Sequence, residues 1–222
     1  MQRDIDINEV SDGKLYHAND LVRISCRDCE GCSNCCHDMG RSIILDPYDI
    51  YMLTTGLHKS FDELLSDNDN GIIELSMVDS LLLPNLRMDD ATNACSFLSS
   101  EGRCTIHAFR PGLCRMFPLG RIWDGDSFSY FNQIHECPFP DKSKIKIKKW
   151  LGFNNISAYE RFITKWHAEM ERERTVIAGI SDNREITLEM VNFLKCYYKD
   201  PYDTDSEFPE QFETRLINKI SL

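Results

Sequence analysis

Long apolar runs are missing from this sequence. No stretch of its 222 residues approaches the roughly 18 consecutive apolar residues of a membrane-spanning helix. The first ten residues, MQRDIDINEV, also lack the basic flank and apolar segment of a secretion signal. These absences lead us to expect a cytoplasmic protein with no membrane partner.

Basic residues are also scarce. The chain carries 25 Lys and Arg against 36 Asp and Glu, giving a net charge of −11 and a pI near 5.0. Such a field repels phosphates, so we expect no nucleic-acid partner and favour a small-molecule or protein partner. The predicted partners are metal ions and a protein substrate. The local exception is a basic stretch, which we interpret as a solvated face, with docking of an acidic partner or anionic cofactor as the alternative: Lys142, Lys144, Lys146, Lys148 and Lys149.

Cysteine is plentiful by contrast, although ten in 222 residues is too few for a small disulfide scaffold. In a reducing compartment, a dense cysteine cluster favours metal coordination or thiol chemistry. Cys196 stands apart from the others and is interpreted as a small buried hydrophobe. The predicted metal ligands are the nine others: Cys26, Cys29, Cys32, Cys35, Cys36, Cys95, Cys104, Cys114 and Cys137.

The first four of these cysteines are separated by two residues each, and Cys36 directly follows the fourth. This spacing lets a tight turn direct two sulfurs at one metal centre, as in zinc and iron–sulfur sites. Adjacent Cys35 and Cys36 point in different directions in any regular backbone, so they are not expected to bind the same ion. The last four cysteines could complete one site or form another, and His37 or His107 could replace a thiolate.

Arginines near the last four of these cysteines are candidates for stabilising the bound metal. Several thiolates on one centre carry excess negative charge, which neighbouring hydrogen-bond donors relieve. Arg110 and Arg115 flank Cys114 and are the predicted cofactor-binding residues. No catalytic residue can be named, because the carboxylates are numerous and scattered.

The pattern along the chain predicts an α+β fold, with a small, loop-rich, cysteine-stapled metal-binding domain followed by a helical C-terminal portion. We divide the chain into a lead-in at 1–25, a cysteine-cluster domain at 26–140 and a helical portion at 141–222 packed on it. Short hairpins are expected at 95–107 and 121–131, and a short strand at 42–45. Helices are expected near 46–55 and 60–67, from 157, from 187 and at 206–220, whereas 72–92 fits either strand or helix.

Several motifs together resemble a known family. They are C-x2-C-x2-C-C at 29–36, Cys95-x-Phe97-Leu98, Cys104-x-Ile106-His107, Arg110-Pro111-x2-Cys114-Arg115-x-Phe117-Pro118 and the later Cys137. The combination is similar to the YkgJ-type cysteine-cluster family of zinc- or iron-chelating domains, which is related to the flagellin lysine N-methylases. The resemblance covers about residues 26–140 and, more weakly, the helix after Ser157.

The resemblance implies a cysteine-bound metal, and its methylase branch implies a [4Fe-4S] cluster used in methyl transfer from S-adenosylmethionine to lysine. Three classes of function therefore stay open. The first is an iron–sulfur enzyme, either a methyltransferase or an oxidoreductase. The second is a non-enzymatic zinc module with structural or interaction roles, and the third is a thiol-redox or metal-handling protein.

Overall fold

The computed structural model describes residues 6–26, 32–65 and 71–220. Helices make up 44% of the structure and small antiparallel sheets 21%, so the predicted α+β class with a helical C-terminal part is confirmed. By internal contacts the chain forms two compact units, each assembled from separate stretches. The first contains Met1–Met39, Met88–His107 and Gly112–Thr164, and the second contains Gly40–Arg87, Ala108–Pro111 and Lys165–Leu222.

The elements follow one another in a fixed order along the chain. The helices are α1 (Ile7–Val10), α2 (Pro47–Leu57), α3 (Phe61–Leu65), α4 (Gly112–Met116), α5 (Ile147–Leu151), α6 (Ile156–Gly179), α7 (Asn183–Leu194) and α8 (Phe208–Ile220). The strands are β1 (Leu21–Ser25), β2 (Ile73–Val78), β3 (Leu81–Leu86), β4 (Leu119–Asp124), β5 (Ser127–Asn132) and β6 (Ser143–Lys146). Single 3₁₀ turns lie at Asn34–Cys36 and His107–Phe109, and a π-helical turn at Lys195–Lys199 follows α7.

Two antiparallel ribbons organise the first unit. Strand β1 pairs with β6, and β4 pairs with β5 through a Gly125–Asp126 loop, one residue later than the predicted Asp124–Gly125 turn. Their core is apolar, and burying each large side chain contributes about 1.5–3 kcal/mol. It consists of Val22, Ile24, Met116, Leu119, Tyr130, Ile147 and Leu151.

Strand β1 occupies residues that the sequence placed in the lead-in, and β6 begins the portion predicted to be helical. Val22 and Ile24 alternate with exposed residues, which is the half-buried strand pattern over a length too short to recognise by itself. The proposed boundaries at 25/26 and 140/141 stay predictions. Compact units assembled from interleaved stretches do not test divisions made along the chain.

In the second unit, helix α2 begins where its residue types predict. The Asp46 side chain accepts from the Asp49 amide at 2.9 Å, the Asp49 side chain accepts from the Asp46 amide at 3.1 Å, and Pro47 fills the first turn. The helix continues past the predicted end at Thr55 to Leu57. His58, at φ 55°, takes the left-handed C-cap position expected for Gly56.

The ambiguous stretch 72–92 contains the hairpin β2–β3. Asp79 and Ser80 form its two-residue loop with φ of 47° and 70°, the geometry that matches the twist of paired strands. The predicted strand at 42–45 is reduced to a single bridge between Ile44 and Asn85. Helix α3 carries the predicted Ser60–Glu63 capping box, and the remainder of that prediction, 66–70, lies outside the described residues.

An aromatic cluster forms the helical part of the second unit. Trp166 stacks on Phe193 at 5.5 Å between ring centroids and meets Tyr197, Tyr198 and Phe212 edge-on. Asp182 caps α7, which therefore starts four residues before the predicted Thr187. This packing buries Trp166 in the core of the second unit.

Candidate metal centre

The eight described cysteines that were predicted as ligands belong to the first unit, whereas Cys196 belongs to the second. The ninth predicted ligand, Cys29, lies outside the described residues. No disulfide joins any two of the cysteines that the structure describes. The thiols are thus gathered on one compact unit that draws them from three separate stretches of chain.

Four cysteines form what we call the first thiol group: Cys35, Cys36, Cys95 and Cys104. The 3₁₀ turn Asn34–Cys36 carries two of them, and the Cys95 amide donates to the Cys36 carbonyl at 2.7 Å. Leu98 pairs with Cys104, and the Thr105 amide donates to the Phe97 carbonyl at 2.9 Å, which closes the predicted hairpin at 95–107. Backbone pairing therefore brings together cysteines almost 60 residues apart.

The first thiol group is electrostatically coupled. The Cys36 thiol donates a hydrogen bond to Cys35, which together with burial and the nearby Cys95 and Cys104 raises the pKa of Cys36 strongly. Burial raises the pKa of Cys95, and Cys104 and Cys35 act in the same direction. The adjacent Cys35 and Cys36 thiols thus contact each other, whereas the sequence predicts that they point in different directions. That they do not bind the same ion stays a prediction.

Three cysteines form the second thiol group: Cys26, Cys32 and Cys137. Cys26 follows strand β1 directly and Cys137 lies in the loop before β6, so the β1–β6 ribbon brings their segments together. Burial raises the pKa of Cys137, and Cys26 and Cys32 add to that effect while Lys142 opposes it. Cys26 and Cys137 are 3% and 8% exposed, which protects this group from solvent.

Backbone amides donate hydrogen bonds to two of the cysteine sulfurs. The Phe97 amide donates to Cys95 and the Phe139 amide donates to Cys137, and each bond lowers the pKa of its thiol. Both donors lie two residues after the cysteine, an offset that was visible in the sequence but unused. Such bonds stabilise thiolate over thiol, which is the form that binds metal.

The predicted arginines lie in different units. Arg115 is on α4 in the first unit, where its guanidinium carbon lies 5.2 Å from the centroid of the Phe153 ring. Arg110 belongs to the second unit. Cys114, also on α4, is half-buried. The roles of these three residues at a cofactor stay predictions.

The donor set fits a metal by its chemistry. Thiolates are the ligands of structural zinc and of iron–sulfur clusters, and the two groups are rich in sulfur and partly buried. Within residues 6–26, 32–65 and 71–220, no three His, Cys, Asp or Glu side chains are already converged as ligands of one ion. Metal binding to these groups would release thiol protons and draw the sulfurs together.

The fold and its thiol groups define a cysteine-cluster, metal-chelating class of protein. A family model for CxxCxxCC, described as a "putative zinc- or iron-chelating domain", matches residues 28–138. The chain belongs to this family, as its motifs predicted. No curated protein and no solved structure matches the chain. Among the described helices, none is both long and apolar enough to cross a membrane.

Proposed function

We propose that this chain is an iron–sulfur protein with two cysteine-bound centres. The first thiol group would hold one centre, and the second thiol group together with Cys29 would hold the other. The observation that carries the proposal is the grouping of the thiols by backbone pairing. The Cys95 amide donates to the Cys36 carbonyl at 2.7 Å, whereas the β1–β6 ribbon brings together the segments of Cys26 and Cys137. Four cysteines per centre is the number that a cluster or a zinc ion requires.

The second centre takes Cys29 by its spacing alone. Cys26, Cys29 and Cys32 follow one another at two-residue intervals, so a turn that directs the outer two sulfurs at one centre also brings the middle one within reach. This assignment leaves Cys114 as the ninth thiol. We propose that Cys114 lies beside one of the centres and is not one of its four ligands.

The chemistry proposed for the centre is methyl transfer from S-adenosylmethionine to a protein lysine, with oxidoreduction as the alternative enzyme class. A bound cluster would supply electron transfer or Lewis-acid chemistry. The cysteine thiolates of this chain would hold the cluster. The hydrogen bonds that the Phe97 and Phe139 backbone N–H groups donate to sulfur would tune its electronic properties. Support for the methyl-transfer reaction comes from the resemblance to the flagellin lysine N-methylases.

The first experiment is anaerobic purification followed by visible spectroscopy, metal analysis and acid-labile sulfide measurement. We expect a brown protein with iron and sulfide in matched amounts. Binding of S-adenosylmethionine, measured by calorimetry, would then support the methyl-transfer reaction. Protein that is colourless and carries stoichiometric zinc would refute the cluster.

Serine variants test the grouping of the thiols. Cys95→Ser and Cys137→Ser should each lose about half of the bound metal, because each removes a ligand from only one centre. Cys196→Ser is the matched control, because it removes a thiol from the other unit. This variant should retain all of the bound metal. If C95S and C137S both lose the entire metal content while staying folded, the two groups serve a single centre.

A structural zinc module is the second candidate. Cys95 and Cys137 each accept a hydrogen bond from the backbone N–H two residues later. Such hydrogen bonds suit a closed, four-coordinate zinc site as well as a cluster. This candidate expects zinc at two per chain with no sulfide, and no binding of S-adenosylmethionine. The same metal analysis distinguishes the two candidates.

A further inference from the structure

A cavity in the first unit carries a concentration of positive charge that neither thiol group uses. Its volume is about 420 Å³, and four cations line it: Lys14, Arg23, Lys142 and Lys144. It lies where the segment after α1 and strand β1 meet the end of β5 and the start of β6. The volume is within the range of about 300–1,000 Å³ that small-molecule sites occupy.

The sheet register forces two of these cations together. Arg23 on β1 is directly opposite Lys144 on β6, and the Arg23 guanidinium also donates to the Lys142 carbonyl at 3.2 Å. Like charges directly opposite one another destabilise a strand pair. The register therefore concentrates two positive charges at one place on the ribbon.

Among the residues that the structure describes, none of the four cations forms an ion pair with a carboxylate. One acidic residue, Asp12, lines the cavity, and its carboxylate accepts from the Tyr16 hydroxyl at 2.5 Å and from the Lys14 amide at 3.2 Å. In a chain with a net charge of −11, the cavity thus keeps an excess of positive charge.

Apolar side chains complete the wall. Leu21 is 55% exposed and Ile134 is 39% exposed, and both line the cavity beside the cations. Exposed apolar surface next to unpaired cations is suited to a ligand with an anionic group on an apolar or aromatic body.

We propose that this cavity binds a small organic anion through a phosphate or carboxylate group held by Arg23 and Lys144. Leu21 and Ile134 contact the apolar body of the ligand. An arginine fork is well matched to such oxyanions, and lysines add point charges around it. The inference goes beyond the proposed function and does not depend on which metal is bound.

The cavity adjoins the second thiol group along the chain. The Lys142 ammonium donates to the Cys137 carbonyl at 2.6 Å, and Cys26 is the residue after β1. A bound anion would therefore lie beside the segments that carry that group. This position suits a substrate or co-substrate of whatever chemistry the centre performs.

The test is calorimetric titration of the purified full chain, at low ionic strength, with adenosine monophosphate as the anionic probe and adenosine as its uncharged counterpart. We expect the monophosphate to bind at one site and adenosine to bind at least tenfold more weakly. Equal binding of the two would overturn the proposal. Absence of any saturable binding of the monophosphate at millimolar concentration would overturn it as well.

Paired variants locate the site. Arg23→Gln with Lys144→Gln removes two cavity cations, whereas Lys148→Gln with Lys149→Gln removes two exposed cations on α5 that do not line the cavity. We expect the first pair to weaken binding tenfold or more and the control pair to change it less than twofold. If both pairs lose the same affinity for the monophosphate, binding depends on the overall positive charge and the proposed site is refuted. Unchanged circular dichroism and metal content show that the variants are folded.

Discussion

Glu173 on α6 provides the most quantitative prediction. Its side chain is fully buried, with the Arg172 guanidinium 3.2 Å from one carboxylate oxygen and the Lys219 ammonium 3.8 Å from the other. Burial raises the pKa of Glu173 from 4.5 to about 7, Lys219 and Arg172 oppose this, and a hydrogen bond to Glu189 reinforces it. Each pKa unit corresponds to about 1.4 kcal/mol, so ionising Glu173 costs about 3.5 kcal/mol more in the folded chain than in the unfolded chain.

The sign of the pH dependence follows from the direction of this shift. Because the pKa is higher in the folded state, the folded chain holds a proton that the unfolded chain releases between pH 4.5 and about 7. The free energy of unfolding should therefore fall as the pH rises through that window. Glu189 affects stability in a different pH range. Burial raises the pKa of Glu189, but hydrogen bonds from Lys219 and Glu173 lower it overall, so its contribution to the free energy of unfolding is lost only as the pH falls below 4.5.

Glu173→Gln cannot ionise and should remove this slope. We expect E173Q to match the parent near about pH 4 and to exceed its unfolding free energy by up to about 3.5 kcal/mol near pH 8. Urea unfolding followed by far-ultraviolet circular dichroism across that range measures it. Glu171→Gln, an exposed carboxylate on the same helix, is the control and should retain the parent slope. An E173Q slope equal to that of the parent would refute the reasoning.

Three further predictions concern packing, capping and metal. Trp166→Ala should lower the unfolding free energy by about 3–5 kcal/mol, because the ring is 4% exposed within its aromatic cluster; urea titration checks this, and a loss below about 1 kcal/mol would contradict it. Ser60→Ala should cost about 1 kcal/mol by removing the side-chain acceptor of the Glu63 amide, and an unchanged urea midpoint would argue against the cap. Chelation of the metal should speed amide hydrogen exchange at Cys36 and Cys95 while α7 keeps its protection, and uniform loss across the chain would show that the metal does not act locally.

Local signals in the sequence were sufficient for several elements. The Asp46–Asp49 box and the Ser60–Glu63 box are short-range hydrogen-bond patterns, so they could be read from residue types and spacing. The turn near Gly125 was recognised in the same way. Helix ends were less accurate, because the left-handed C-cap at His58 depends on packing and carries no residue signature.

Other elements depended on partners far away in the chain. Strand β6 contains four residues and β1 five, and neither has a periodic pattern long enough to be distinguished from loop. Each exists because the other provides its hydrogen-bond partners, more than 100 residues away. The hairpin β2–β3 was ambiguous for a related reason, since its apolar residues suit a buried strand or a buried helix.

The sequence by itself determined the class of protein, because its cysteine motifs match a zinc- or iron-chelating domain family. It also determined the family, which depends on motifs and not on distances. Only the tertiary structure decided which thiols are neighbours and where the cavity cations meet. Backbone pairing between Cys36 and Cys95 and the register of Arg23 with Lys144 are long-range contacts, and linear spacing carries no information about them.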